Sequence, residues 1–167
     1  MTLLNILTLP DKRLKTVAKP VEIFDKKLKT LIADMLQTMY EAPGIGLAAT
    51  QVDVHKRIVV IDISEEKDQP LCLINPKITE LSGQQVHEEG CLSVPGIYAK
   101  VKRANTITVE AQDETGENIQ LHADDLLAVC IQHELDHLNG VVFLDHLSPL
   151  KRKMALKKLE KEALDRV

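Results

Sequence analysis

The sequence predicts an α+β fold, in which antiparallel or mixed sheets surround a central helix, with a long N-terminal helix and a C-terminal helix. Three observations lead to this prediction. Apolar residues recur at helical spacing near the N-terminus, short β-branched segments separated by turn residues fill the middle of the chain, and further helical patterns follow. Sheets flanked by segregated helices are typical of the α+β class.

The first helix is predicted from Asp25 to about Glu41. Asp25 is a suitable N-cap, and the apolar residues that follow fall at steps of three and four, which places them on one face: Leu28, Leu31, Ile32, Met35 and Met39. Pro43 and Gly44 are expected to end this helix. A short helical turn is also expected around residues 11–17.

Six short segments in the middle of the chain are predicted strands. Each is rich in β-branched or alternating residues and is bounded by turn residues: 58–63, 71–74, 78–81, 85–88, 106–111 and 119–122. Asn75 and Pro76 are expected to stop the second strand. Ser82 and Gly83 are expected to form a turn between the third and fourth strands.

Two helices are predicted after the strands. The first covers residues 124–138, with an aspartate pair as its cap, and Asn139-Gly140 closes it. The second opens at Pro149 and runs to about residue 164.

Length and composition predict a single globular domain over residues 1–167, in which residues 148–167 form a basic helical extension. The chain has 44% hydrophobic and 28% charged residues. No apolar run approaches the roughly 20 residues of a membrane helix, and no secretory signal is visible, so we expect a cytoplasmic protein without a membrane partner. Two tyrosines, two phenylalanines and no tryptophan argue against a base-stacking surface for single-stranded nucleic acid.

The most informative motif is His-Glu-Leu-Asp-His at residues 133–137, inside a predicted helix. Residues four apart lie one turn above each other, so both imidazoles project from one face and can bind one divalent metal. Glu134 lies about 100° around the helix, near enough to reach a water on that metal. Two surface histidines are the alternative, but the apolar residues before the motif indicate a largely buried helix, where paired histidines without a task are costly.

A catalytic metal site usually has a third protein ligand. A histidine six residues after the second is excluded, because that position is Phe143. A downstream glutamate would be Glu160 or Glu162, in a lysine-rich tail where a solvated face is expected. Cys91 is the remaining candidate, at a polar strand end marked by glycine and proline, whereas the other two cysteines lie in apolar runs typical of core thiols.

A glycine-rich stretch from Gly44 to Gln51 follows the first predicted helix. It is not preceded by the strand of a dinucleotide-binding loop, and it lacks the Gly-Lys-Ser/Thr of a phosphate-binding loop. Its glycines fit a helix-to-strand connection. They also fit a loop of bare backbone that approaches a peptide, with the Gln51 amide pointing into the cleft.

These three stretches together resemble the signature motifs of bacterial peptide deformylases, in the form found in Gram-negative species. Residues 44–51, 89–93 and 133–137 match in order and spacing, and the resemblance extends over essentially the whole chain. It implies a hydrolase of protein biosynthesis that removes the N-formyl group from formylmethionyl nascent peptides and releases formate. The implied metal ligands are Cys91, His133 and His137, with water in the fourth position.

The resemblance also implies roles around the metal. Metal-bound water would attack the formyl carbon, with Glu134 as general base and then acid. The Gln51 side-chain amide and the Leu92 backbone N–H would donate to the oxyanion. The implied cofactor is one divalent ion, Fe²⁺ in the cell, and a site of one thiolate and two imidazoles also suits Zn²⁺, Ni²⁺ or Co²⁺.

Substrate-binding residues are implied partly by the resemblance and partly by helix spacing. Backbone that would pair with the peptide as an added strand lies around Ile45, Gly46 and Gly90. Residues expected to wall an apolar methionine pocket, on or near the face of the first motif histidine, are Leu126, Val129 and Cys130. His87 and Tyr98 depart from the family pattern near this pocket, and the sequence assigns them no role.

Supporting residues are expected around the metal ligands. A metal-bound histidine usually donates its second N–H to an acceptor, and Asp136 is one candidate. Glu89 and Arg103 are candidates for an ion pair that braces the strand of the cysteine ligand. For both expectations the alternative is that these residues are ordinary charged residues at the surface.

Charge is unevenly distributed along the chain. Residues 151–167 carry seven basic and three acidic side chains, although the whole chain has a net charge of −4. A docked helix with a solvated basic side explains this, and the resemblance supports contact of the same helix with ribosomal RNA. Family precedent favours a monomer.

Two other interpretations remain open. A cysteine hydrolase with Cys91 as nucleophile and His133 as base would work without a metal. A ribosome- or RNA-binding protein with a structural metal would close its site with a fourth protein ligand and would tolerate loss of the Glu134 carboxylate.

Overall fold

The computed structural model describes residues 2–165 and confirms the α+β class. Its helices are α1 (Lys26–Glu41), α2 (Asp125–Leu138) and α3 (Pro149–Asp165). Its strands are β1 (Gly46–Ala48), β2 (Ile58–Ile61), β3 (Leu71–Ser82), β4 (Gln85–Cys91), β5 (Val94–Arg103), β6 (Thr106–Gln112) and β7 (Asn118–Asp124). Short 3₁₀ turns cover Lys12–Lys15, Ala49–Val52 and Phe143–His146.

Two antiparallel sheets organise the chain. The larger has the strand order β1-β2-β3-β6-β7, and the smaller is the hairpin β4-β5. Strand β2 shows how the larger sheet is covered on both faces: Val59 and Ile61 pack in one core with α2, whereas Ile58 and Val60 pack in another with α1. A sheet buried on both faces favours a continuous β-branched run of this kind.

A third core joins the hairpin to the C-terminal part of the chain. Val94, Ile97 and Val101 of β5 pack there with Phe143 and with Leu159 of α3. The hairpin is therefore packed against α3 and against the segment that follows α2, the helix that carries the histidine motif. The predicted extension over residues 148–167 ends on residues 166 and 167, which lie outside the described part of the chain.

The helix ends follow the predicted chemistry only in part. Asp25 caps α1, since its Oδ1 accepts from the Leu28 backbone N–H at 3.0 Å. The prediction for α2 is wrong in this detail: Asp124 precedes the helix, but its side chain makes no cap hydrogen bond. The start of α2 is held instead by Gln85, whose Nε2 donates to the Asp125 carbonyl at 2.9 Å. Gly140 ends α2 as predicted, with a φ of 75°.

The predicted stop at Asn75-Pro76 is wrong, because β3 continues through it to Ser82. Asn75 has a φ of 51°, and the pairing of β3 with β6 shifts register between Ile74 and Lys77. Pro76 falls inside this irregularity, where its missing N–H removes no regular ladder bond. Strands β1 and β5 were also not predicted as strands.

No helix within residues 2–165 combines the length and the hydropathy needed to cross a bilayer.

Candidate active site

The three predicted metal ligands lie together. His133 and His137 project from α2 one turn apart, and Cys91 ends β4 beside them. One ligand atom from each lies within 4.8 Å of the others, and Cys91 Sγ is 3.3 Å from His137 Nε2. No other histidine, cysteine or carboxylate of residues 2–165 joins this group. Sulfur and two ring nitrogens suit a divalent transition metal, with a fourth position left for water or substrate.

Glu89 holds the first histidine in place. It lies on the same face of β4 as Cys91, and its Oε1 accepts from His133 Nδ1–H at 2.9 Å. Arg103 donates to both oxygens of this carboxylate, at 2.8 Å each. Burial alone would raise the pKa of Glu89, but the hydrogen bonds from Arg103 and His133 lower it to about 2. The expected Glu89–Arg103 pair is therefore confirmed, and it is buried rather than at the surface.

Asp136 is not the acceptor for a metal-binding histidine, so that expectation is wrong. Its Oδ2 accepts from Arg103 at 2.7 Å and lies 2.8 Å from His146 Nε2. His137 Nδ1 is buried without a hydrogen-bond partner. His146 is an exposed residue, but it belongs to a network that reaches His133 through Asp136, Arg103 and Glu89.

The environments of the two histidines differ. Burial alone would lower the pKa of His133, but the negative charge of Glu134, with Cys91 and Glu89, outweighs it and the pKa is raised well above its usual value. Burial, together with the positive charge of His133, lowers the pKa of His137 well below its usual value. A neutral imidazole is the form that binds a metal.

Glu134 is buried next to this cluster with one free acceptor. Its Oε1 has no hydrogen-bond partner among the described residues. Burial, assisted by the nearby Glu89 carboxylate, raises its pKa to about 7. The carboxyl group packs directly against the backbone of Gly46 in β1, where a side-chain carbon would collide with it. A carboxyl group with a pKa near neutrality can both accept and release a proton at physiological pH.

The Gln51 side chain is held in place beside Cys91. Its Oε1 accepts from the Ala48 backbone N–H at 2.9 Å, and its Nε2 donates to Ser93 Oγ at 3.0 Å. The same Nε2 lies 3.6 Å from Cys91 Sγ. Because both ends of the amide are held, an N–H donor is presented beside the metal-ligand cluster. Ser93 ends the 89–93 signature stretch, but sequence reasoning assigned it no role, and its hydrogen bond shows that it supports Gln51.

A cleft of about 860 Å³ opens beside the cluster. Its lining includes every residue predicted to bind substrate: Ile45, Gly46, Gly90, Leu126, Val129 and Cys130. Gln51, Leu92 and Glu134 also line it, as do His87 and Tyr98.

Two free strand edges border this cleft. Strand β1 is an outer strand of the larger sheet, and β4 pairs only with β5. Gly46 on β1 and Gly90 on β4 both line the cleft. Unpaired backbone groups on such edges can bind an extended peptide as an additional strand.

The chain is similar to known proteins over nearly its whole length. The model of a family described as polypeptide deformylase matches residues 3–153. A peptide deformylase of Chromobacterium violaceum is 63% identical, with 97% of this chain and 99% of the relative covered. The crystal structure of a peptide deformylase from Legionella pneumophila has a TM-score of 0.95 at 50% identity, covering 99% and 98% of the two chains. That of the Ehrlichia chaffeensis enzyme in complex with actinonin has a TM-score of 0.92 at 44% identity, covering 97% and 98%.

Proposed function

This chain belongs to the polypeptide deformylase family, and we propose that its cleft hydrolyses the N-formyl amide of formylmethionyl nascent peptides and releases formate. The observation that carries this proposal is the pairing of a three-donor cluster with a buried carboxyl group that keeps one oxygen free. Amide hydrolysis needs an activated water and a group that moves its proton, and the cleft offers both beside a peptide-sized groove.

Peptide deformylases are metalloenzymes, and the donor set here fits a divalent ion. The three ligand atoms are close enough to share one ion, and Glu89 keeps the His133 ring oriented toward it. Such an ion lowers the pKa of a water molecule and polarises the formyl oxygen. We propose Fe²⁺ as the ion used in the cell. Zn²⁺, Ni²⁺ and Co²⁺ suit the same mixture of thiolate and imidazole ligands.

Glu134 is proposed as the group that moves the proton. Its free Oε1 accepts the proton of the attacking water, and the same carboxyl group then delivers that proton to the departing amine. The close packing of this carboxyl group on Gly46 keeps it from turning away from the cluster.

Gln51 and Leu92 are proposed to stabilise the negative charge that develops on the formyl oxygen. The Gln51 amide is already oriented by Ala48 and Ser93, so little reorganisation is needed when the charge forms. Leu92 directly follows Cys91, which puts its backbone N–H next to the cluster in the turn between β4 and β5.

The substrate is proposed to lie between the free edges of β1 and β4. Main-chain pairing around Ile45, Gly46 and Gly90 reads the backbone and tolerates varied sequences, as an enzyme for many nascent chains requires. The first side chain of the peptide would enter a pocket walled by α2, hereafter the side-chain pocket: Leu126, Val129 and Cys130. We further propose that the protein acts as a monomer in the cytoplasm and contacts the ribosome through α3.

The test combines elemental analysis of anaerobically purified protein with formate release from formyl-Met-Ala-Ser. We expect one divalent ion per chain, turnover that a chelator abolishes, and recovery when Fe²⁺ is added back. Cys91→Ser should lose the ion and the turnover, whereas Cys72→Ser, a matched thiol outside the site, should keep both. Turnover that survives chelation, with a covalent adduct on Cys91, would establish the cysteine-hydrolase alternative instead.

A further inference from the structure

The inward face of β4 carries a histidine that the proposed mechanism does not use. Gln85, His87, Glu89 and Cys91 are partly or fully buried, whereas the residues between them are exposed. Gln85 bonds to the first residue of α2, and Glu89 bonds to His133 two turns later. Strand β4 and helix α2 therefore run in the same direction, and these two side-chain hydrogen bonds connect them.

His87 lies midway between these two anchor points. Its level on β4 corresponds to the segment of α2 between Asp125 and His133, which contains all three walls of the side-chain pocket. His87 and these walls line the same cleft. The imidazole is therefore a polar group near the three apolar walls of the side-chain pocket, in a cleft that Gln51 and Glu134 also line.

The His87 ring has no hydrogen-bond partner among the described residues. Its Nδ1 is buried and unpaired, and its Nε2 makes no hydrogen bond within residues 2–165. Buried polar atoms in folded proteins are normally paired, so an unpaired ring at a cleft wall retains capacity for a ligand. Since Nδ1 is shielded, Nε2 is the nitrogen within reach of a molecule in the cleft, and the tautomer protonated there is a donor.

We propose that His87 is a specificity-determining residue that lets the side-chain pocket accept methionine sulfoxide, as well as methionine, at a formylated N-terminus. This inference rests on the proposed deformylase function. Oxidation converts the thioether into a polar group with a strong acceptor oxygen, which an apolar pocket disfavours. The imidazole N–H donates to that oxygen. The reaction is unchanged: water cleaves the formyl amide, formate leaves, and the sulfoxide remains intact.

The test compares kcat/KM for formyl-Met-Ala-Ser and for the same peptide with methionine sulfoxide. In His87→Leu we expect the sulfoxide-to-methionine ratio to fall about tenfold, the effect of losing one hydrogen bond to a polar group. His87→Gln retains a donor and should keep the ratio within about threefold of the parent protein. Val86→Ala, on the exposed face of the same strand, is the matched control and should leave the ratio unchanged.

The outcomes separate this inference from the proposed function. A ratio that stays within about twofold in His87→Leu overturns the inference, and so does an equal fall in His87→Gln, which would assign the effect to packing. His87→Met provides a second apolar variant if the leucine variant does not fold. Absence of formate release from the unoxidised peptide by the parent protein contradicts the deformylase proposal itself, whatever the ratio.

Discussion

Glu134 is the side chain on which the proposed chemistry of the cleft depends most directly. Replacing it with glutamine keeps the shape of the carboxyl group but removes its capacity to take a proton. We expect Glu134→Gln to retain the metal and to lower kcat by about 10²–10⁴-fold, the usual contribution of a general base. Metal content and formate release measured on the same sample test this.

The control for this prediction is Glu110→Gln, which changes an exposed glutamate of β6 and should leave both quantities unchanged. Retained turnover in Glu134→Gln would contradict the role of Glu134 as the general base, because glutamine cannot take up the proton of the attacking water.

Arg103 is important for stability because its removal would leave a buried carboxylate without a counter-charge. Its guanidinium neutralises the buried Glu89 carboxylate and also bonds to Asp136. Arg103→Ala leaves Glu89 buried without its main counter-charge, so we expect a loss of about 3–5 kcal/mol in the free energy of unfolding. Denaturant unfolding measures this, and Arg152→Ala, which removes a largely exposed ion pair with Asp145, should cost less than 1 kcal/mol.

The sequence predicted which candidate residues lie together more reliably than which residues support them. The four-residue spacing in α2 fixes the two histidines and the side-chain pocket walls, because helix geometry is local. The roles of Asp136, His146 and Ser93 depend on how β4, β5 and the turn at Phe143–His146 meet, which no local pattern encodes. Asp136 and His146 are ten residues apart, and their contact exists only once the chain has turned after Gly140.

The end of α1 is tied to the segment after β2 by one buried carboxylate. Asp62 accepts from the Tyr40 hydroxyl at 2.6 Å and from the Ser64 and Gln69 backbone N–H groups at 2.9 and 3.1 Å. Burial would raise the pKa of Asp62, but a hydrogen bond from the Ser64 hydroxyl, together with the three just given, outweighs it and lowers the pKa. Burial and the same carboxylate raise the pKa of Tyr40 to about 12.

These shifts predict how stability depends on pH. The contribution of Asp62 to the free energy of unfolding is present above the pKa of its carboxyl group in the unfolded chain. It is lost as the pH falls through the lower pKa that the same group has in the folded protein. The Tyr40 contribution is fully present below pH 10 and is lost as pH rises toward 12. Tyr40→Phe should cost about 1.5–3 kcal/mol at pH 7, and its unfolding free energy should fall less between pH 10 and 12 than that of the parent. Tyr98→Phe, on an exposed ring, should behave like the parent protein.

Helices were predicted more accurately than strands, for a physical reason. The ends of α1 are set by Asp25 and by the Pro43-Gly44 pair, which act within a few residues. Strand β5 contains Pro95 and Gly96, residues that normally interrupt a strand, and it forms because β4 pairs with it and the core around Phe143 and Leu159 covers it. Strand β3 passes Pro76 for a similar reason, since β2 pairs with the residues before the proline and β6 pairs with the residues after it.

At the scale of the whole molecule, packing between β5 and α3 connects the cleft to the C-terminal helix. Leu159 of α3 is buried against Val94 and Ile97, and both of these β5 residues also line the cleft. Removing α3 would therefore change the packing at the cleft as well as the charge of the protein. A truncated chain that no longer binds the ribosome would not show which of these two changes is responsible. Substitutions on the solvent face of α3 can show this, because they leave Leu159 in place.

The lysines on that solvent face provide the sharper test of ribosome contact. Lys153, Lys157 and Lys161 are exposed, so exchanging all three for glutamate changes the charge and leaves the packing intact. We expect the triple variant to lose ribosome binding in cosedimentation, and the difference from the parent to shrink as salt is raised, because phosphate contacts depend on released counterions. Turnover of formyl-Met-Ala-Ser should be unchanged.

The matched control exchanges three exposed lysines at the start of α1 (26, 27 and 29) for glutamate. Equal loss in both variants would mean that net charge governs binding, and no loss in either would leave α3 as a purely structural brace for the hairpin.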